Sequence, residues 1–412
     1  MLIWLKMGWR NLWRNRGRTL LQVMAIAGGL LIAIFFRNLA AGSYEKMIYD
    51  GTRSGSGHVG FYHNRYLKER KTSFCFPSDE ILSGLRKEKG IKHIFPRLII
   101  PGLVQSSRES KGVLVLGMDI EAEKEANPLL DEKKLLSGTL PIGENRTKIL
   151  IGLKMSQRLQ VKMGNKIVVS FQNADGEIAN ELFRVGGIFQ TGISQIDSDM
   201  AFVDRETLSK MFGKTGVLHE IAVVLENRHA VPEFLGRIKS HITMPGSVQA
   251  FPWMEAMPEL YSAIRLDRVQ FYISMAILYF LISIGAVNTL LMSVTERTRE
   301  FGLMRALGLN STAIRKIILA EALVLGVFGS MLGLALGIMA SSYTGKYGLD
   351  LSSLVGKTEM AGILVDPIIF SVWDIPAMVV AVIAMIVLVI VTSLYPARRA
   401  LKIRPSEAMR KY

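Results

Sequence analysis

Four long stretches almost free of charge constrain this chain more than any other feature of it. Residues 19–36, 271–294 and 375–394 contain no Asp, Glu, Lys or Arg, and residues 317–341 contain one, Glu321. An α-helix needs about 20 apolar residues to cross the hydrocarbon core of a bilayer, within a range of about 17–25. All four stretches meet that length, the first only just. Half of the 412 residues are hydrophobic, and clustering them this way leaves four spans and one long polar segment, residues 37–268.

Charge sets the expected orientation. The formal net charge is +15, but residues 1–18 hold +5 of it, residues 295–316 hold +3 and residues 397–412 hold +5. Each of these short segments abuts an apolar run, which is the positive-inside pattern. They are therefore expected in the cytoplasm, with residues 37–268 outside and both termini inside. A basic surface for nucleic acid is excluded, because the excess is spent at membrane boundaries. The first run reads as a span rather than a cleaved leader, since Leu39-Ala40-Ala41 is a poor cleavage site. Cys75 is the single cysteine, so no internal disulfide staples the outside segment.

The expected architecture is an α-helical membrane protein. It has four transmembrane helices and a large α+β extracytoplasmic, periplasmic domain inserted between helices 1 and 2. Residues 1–18 should form an amphipathic interfacial helix, with Trp4, Trp9, Leu12 and Trp13 along one stripe and Lys6, Arg10 and Arg14 beside it. The spans are 19–36, 269–294, 317–343 and 375–394. A cytoplasmic loop covers 295–316, a short outside loop 344–374, and a basic tail 395–412.

Within 37–268, β-rich runs fall at 58–62, 112–116, 148–151, 166–171, 182–188, 200–203 and 220–225, and helical ones at 78–87, 153–160, 205–212 and 232–241. Asn173, Ala174, Asp175 and Gly176 read as the turn of a hairpin. Residues 258–269 should continue as helix straight into the second span. Small residues recur every fourth position at Ala25, Gly29 and Ala33, and at Gly329, Gly333 and Gly337. In lipid such stripes let backbones approach closely. Both predict helix–helix contact, within one chain or across a dimer.

No catalytic pattern emerges. There is no P-loop, no His-Glu-x-x-His and no Gly-x-Ser-x-Gly. His58 and His63 lack companions at ligand spacing for a metal. Glu255, Glu259 and Asp267 read as the solvated face of a helix. Glu321 lies near the cytoplasmic edge of its span, within reach of water or a basic partner, and reads as structural. The expectation is a non-catalytic subunit with no cofactor of its own.

The segment Glu296–Gly308 is the most informative cytoplasmic feature. A short helix would place Phe301, Met304 and Leu307 or Gly308 on one face, with Gly308 as its stop and Asn310 capping the next helix. The pattern leaves an interfacial anchor and a knob for a cytoplasmic partner both open. Its wording, Glu-Arg-Thr-Arg-Glu-Phe-Gly-Leu-Met-Arg-Ala-Leu-Gly, resembles the coupling loop of FtsX/MacB-type (type VII) ABC permeases, as do Ala320-Glu321-Ala322 and the tail from Tyr395 to Arg410.

Within that family the chain looks most like the LolC/LolE lipoprotein-releasing permeases, through Gly57-His58-Val59, Leu116-Gly117-Met118-Asp119 and Val185-Gly186-Gly187-Ile188-Phe189 among others. The resemblance implies an outside domain with a MacB-like core. It also implies a second permease protomer, identical or not, and two copies of a separate cytoplasmic ABC ATPase that binds ATP and magnesium. Glu296, Arg297, Glu300, Phe301, Met304, Arg305, Leu307 and Gly308 would couple to that ATPase. It implies mechanotransmission in a bacterial inner membrane, with lipoprotein cargo and a periplasmic chaperone. In LolC-type permeases a proline-containing hairpin recruits the chaperone, whereas the hairpin here is short and has no proline at Asn173–Gly176. An FtsX-like regulator of a cell-wall hydrolase and a MacB-like exporter with an outer-membrane partner are the alternatives.

Overall fold

The computed structural model describes residues 9, 10, 13, 14, 16–142, 147–242, 244–351, 358–360, 363–365 and 368–401. Most of the expected N-terminal interfacial helix and the tail beyond residue 401 lie outside the described residues. The chain divides into two compact units, one of residues 1–44, 266–353 and 368–412 and the other of residues 45–265 and 354–367.

Among the described residues four helices are long and apolar enough to span a membrane: Arg16–Ser54, Pro258–Glu296, Ser311–Tyr347 and Ile375–Leu401. The first two, at 39 residues each, run about 58 Å at 1.5 Å per residue, well beyond a core of about 30 Å. The second is one uninterrupted helix from Pro258 through the apolar run, as the sequence indicated.

Close backbone approach shapes their packing. A Cβ on Gly333 would meet the Ala27 carbonyl oxygen at 2.7 Å, and Cβ atoms on Gly329 and Gly337 would press on Ile26 and Ile34. The Gly329/Gly333/Gly337 stripe therefore seats the third helix on the first. Gly29 and Ala33 are buried and Ala25 is exposed; Gly29 faces Ile282 of the second helix. Gly29 and the Gly329/Gly333/Gly337 stripe thus meet different neighbours. Val23, Ile26, Leu30, Leu290, Leu325, Met385 and Val389 fill the space between the four helices.

The second unit carries a ten-stranded sheet. Six strands close on themselves in the order Ile91–Gln105, Ser110–Met118, Met200–Asp204, Lys148–Gly152, Ile178–Phe189 and Lys166–Gln172, the last pairing back to the first. Closure removes sheet edges. Side chains alternate inward along these strands, so Ile100, Val115, Val169, Phe183, Ile151 and Val203 fill the interior. Leu208 and Phe212, from the helix Arg205–Phe212, pack against them.

The first half of Ile91–Gln105 belongs to a second lobe. There it pairs with Glu220–Leu225, which pairs with Val59–His63, which pairs with Val248–Pro252. The helices Asp79–Leu85 and Val231–His241 cover this sheet through Ile81, Leu85, Phe234 and Ile238.

Arg97 sits where the long strand changes lobes and is 1% exposed. It donates to Glu123 at 2.7 and 3.2 Å and to the carbonyls of Ser54 and Gly55 at 3.0 and 2.7 Å. Burial opposes its charge, but Glu123 and Glu220 outweigh that cost and strengthen its hold on the proton. Glu220 in turn accepts from Tyr62 at 2.6 Å.

Candidate coupling site

The loop between the second and third helices folds as the helix Thr298–Ala306. Its end is a Schellman cap: Gly308 has φ +93°, its N–H donates to Arg305 O, and the Leu309 N–H donates to Met304 O. The Asn310 side chain then accepts from Thr312 N at 3.3 Å and starts the next helix. Only glycine adopts that φ without strain, so Gly308 fixes the angle at which the short helix leaves its neighbour.

The apolar side of this helix faces inward. Phe301 is 2% exposed and packs with Val294, Ile314, Ile318, Ala397 and Ala400, with Met304 and Leu309 beside it. This corrects the expectation that Phe301 meets a partner: its ring is already enclosed by the second, third and fourth helices of the same chain. The exposed apolar side chains are Leu307 (81%) and Leu303 (56%), four residues apart on the opposite face. Sequence reasoning missed Leu303; the i, i+4 leucine pair was the signal available.

Charges clamp the helix from the other side. Arg297, 8% exposed, donates from Nη1 to Glu321 at 3.1 Å and from Nε to Glu300 at 3.1 Å, and its guanidinium lies 5.0 Å from the Phe301 ring centre. Glu300 also accepts from Arg14 at 2.5 Å, and Arg18 holds Glu296 through two bonds of 2.6 and 2.8 Å. Partial burial pushes the Glu300 carboxyl up, but hydrogen bonds from Arg14 and Arg297 outweigh it and hold it below the usual range. Glu321, buried at 7% exposure, is thus the counter-ion of Arg297. Arg305 is half-buried on the same helix. Glu296, Arg297 and Glu300 are therefore engaged inside the chain, tying the short helix to the first and third long helices.

Residues 272–405 match the family model described as the FtsX-like permease C-terminal domain. That third of the chain is an FtsX-like permease domain. The whole chain is 22% identical over 411 residues to the lipoprotein-releasing system transmembrane protein LolC of Neisseria meningitidis, covering 95% of this chain and 94% of that one. It is 25% identical to the corresponding LolE protein of Haemophilus influenzae, covering 79% of each. A shorter stretch of 127 residues, 31% of this chain and 16% of the relative, is 38% identical to the macrolide export ATP-binding/permease protein MacB of Rhodopirellula baltica.

The chain's other sequence-marked feature is the hairpin turn. Asn173 accepts at its side-chain oxygen from the N–H groups of Asp175 and Glu177, Gly176 has φ +89°, and Ala174 N–H donates to Phe212 O at 3.0 Å. The tip is tied down on the helix Arg205–Phe212. Among the described residues no group of three or more His, Cys, Asp or Glu could hold a metal ion.

Proposed function

We propose that this permease releases lipoproteins from the membrane by mechanotransmission, driven by two copies of a separate ATPase and acting with a second permease protomer. The likeness along 94% of a protein named for lipoprotein release supports the cargo. The observation that carries the coupling is the helix Thr298–Ala306, which presents Leu303 and Leu307 outward while Arg297–Glu321 and Phe301 fix it to the spans.

In this reading Leu303 and Leu307 enter a groove on the ATPase, with Arg305 and Gly308 setting the approach. Closure of the ATPases moves the short helix as a rigid piece. Glu321 delivers that motion to the third helix, and Arg14 and Arg18 deliver it to the first. The unbroken helix Pro258–Glu296 relays it outward, where residues 37–268 expel cargo toward a periplasmic chaperone. The apolar faces of the described long helices suit acyl chains.

The test is affinity isolation of the detergent-solubilised protein from its own cells, with mass spectrometry of what remains bound. An ATPase together with lipid-modified proteins supports lipoprotein release. An ATPase with a cell-wall hydrolase or an outer-membrane channel, and no lipoprotein, overturns the cargo in favour of an FtsX-like or MacB-like role.

A further inference from the structure

A groove of about 460 Å³ opens on the side of the membrane unit between the first, second and fourth helices. Its walls are apolar: Ile34, Phe271, Met275, Ala276, Ala381 and Ala384 among them. At one end stand Arg37 and Asp374, which form an ion pair. Arg37 directly follows the uncharged run 19–36, and Asp374 directly precedes the uncharged run 375–394. The pair therefore marks the level where hydrocarbon gives way to the headgroup layer.

Arg37 is not satisfied by what surrounds it. Asp374 takes Nη2, while Nε and Nη1 are buried with no hydrogen-bond partner among the described residues. Asp374 is itself committed, since its other oxygen accepts from Ala377 N at 3.2 Å as the cap of the fourth helix. Asn38 locks this geometry: its backbone carbonyl accepts from Val372 N at 3.0 Å and its side-chain oxygen from Asp374 N at 3.1 Å. Leaving two guanidinium donors buried and unpaired is costly. Arg donates strong charge-assisted hydrogen bonds to phosphate oxygens, and basic pockets between membrane helices bind lipid head groups.

We infer that this groove binds one membrane phospholipid, its acyl chain along Phe271, Ala276 and Ala384 and its phosphate beside Arg37 at the groove's end. The inference goes beyond the proposed transport role and stands whatever the cargo is. The lipid is a resident ligand that completes the seam of three helices, and charge complementarity at headgroup depth selects it over a second copy of the chain.

The experiment is native mass spectrometry of the full-length, delipidated protein in detergent, titrated with dioleoylphosphatidylglycerol or with dioleoylglycerol, which lacks the phosphate. The wild-type chain should retain one phosphatidylglycerol that withstands collisional activation, and no dioleoylglycerol. A276F, which fills the groove and leaves the ion pair alone, should lose it. R37K keeps the charge facing Asp374 but leaves a single nitrogen where Arg37 has three, and retention should fall about tenfold; this variant carries the test if A276F fails to fold. Equal retention of dioleoylglycerol, unchanged retention in both variants, or occupation of the groove by a second copy seen as a dimer that A276F abolishes, would each overturn the inference.

Discussion

Arg297 and Glu321, 24 residues apart in the chain, meet at 3.1 Å with both side chains about nine-tenths buried. They join the short helix Thr298–Ala306 to the third long helix. Removing one partner of such a pair strands the other charge and costs about 3–5 kcal/mol, whereas replacing both by apolar side chains is often neutral. R297M should therefore lower the melting temperature in detergent strongly, and R297M/E321L should recover most of the loss. Equal melting of the single and double variants would show that the two groups do not act as a pair.

The two faces of the short helix separate stability from docking. Phe301→Ala empties a filled site and should destabilise by about 3–5 kcal/mol. Leu307 is 81% exposed, so L307D should melt within about 0.5 kcal/mol of wild type. Thermal unfolding followed by tryptophan fluorescence in the same detergent distinguishes them.

Gly333 and Gly28 make a second contrast. A side chain at Gly333 meets the Ala27 carbonyl, while a Cβ at Gly28 has nothing within 4 Å. Gly333→Val should cost about 1–3 kcal/mol through overpacking, and Gly28→Val should leave packing within the chain unchanged. Comparable melting of both variants would contradict the seating of the third helix on the first.

Acid should weaken the second unit through two histidines. Burial lowers His219 to about 4, and burial followed by repulsion from Arg53 and Arg228 lowers His58 to about 4. Both ring Nδ1 atoms accept backbone N–H bonds, from Ile99 at 3.2 Å and Leu225 at 3.0 Å, as neutral imidazoles do. The unfolded chain binds these protons near pH 6.5 and the folded chain does so only near pH 4. Stability should be flat with respect to these groups above about pH 6.5, fall as pH drops through that window, and level off near pH 4. H219Q should show a shallower slope in melts measured across the window.

How much of this was legible in the sequence depends on range. The helix Arg205–Phe212 and the hairpin around Asn173 announce themselves through local devices, an Asp204 cap with a Gly213 stop and an Asx turn before Gly176. The strand Ile91–Gln105 was missed because Pro96 and Pro101 argue against any strand. It persists because its two halves pair with different partners, Pro96 opposite Ile221 in one lobe and Pro101 opposite Leu114 in the other. At the helix Thr298–Ala306 the period gave an apolar face around Phe301 but not what that face meets. Its enclosure by Ile314 and Ala397 is tertiary, as is the Arg297–Glu321 pair.

The central claim is that Leu303 and Leu307 dock a separate ATPase. The direct measurement is co-purification of the native ATPase, and of its hydrolysis of ATP, with tagged wild type, L303D and L307D from the same cells. The account predicts an ATPase of the ABC class with wild type and its loss from both variants, with each permease intact in the membrane. Full recovery of active ATPase with both leucine variants would contradict it.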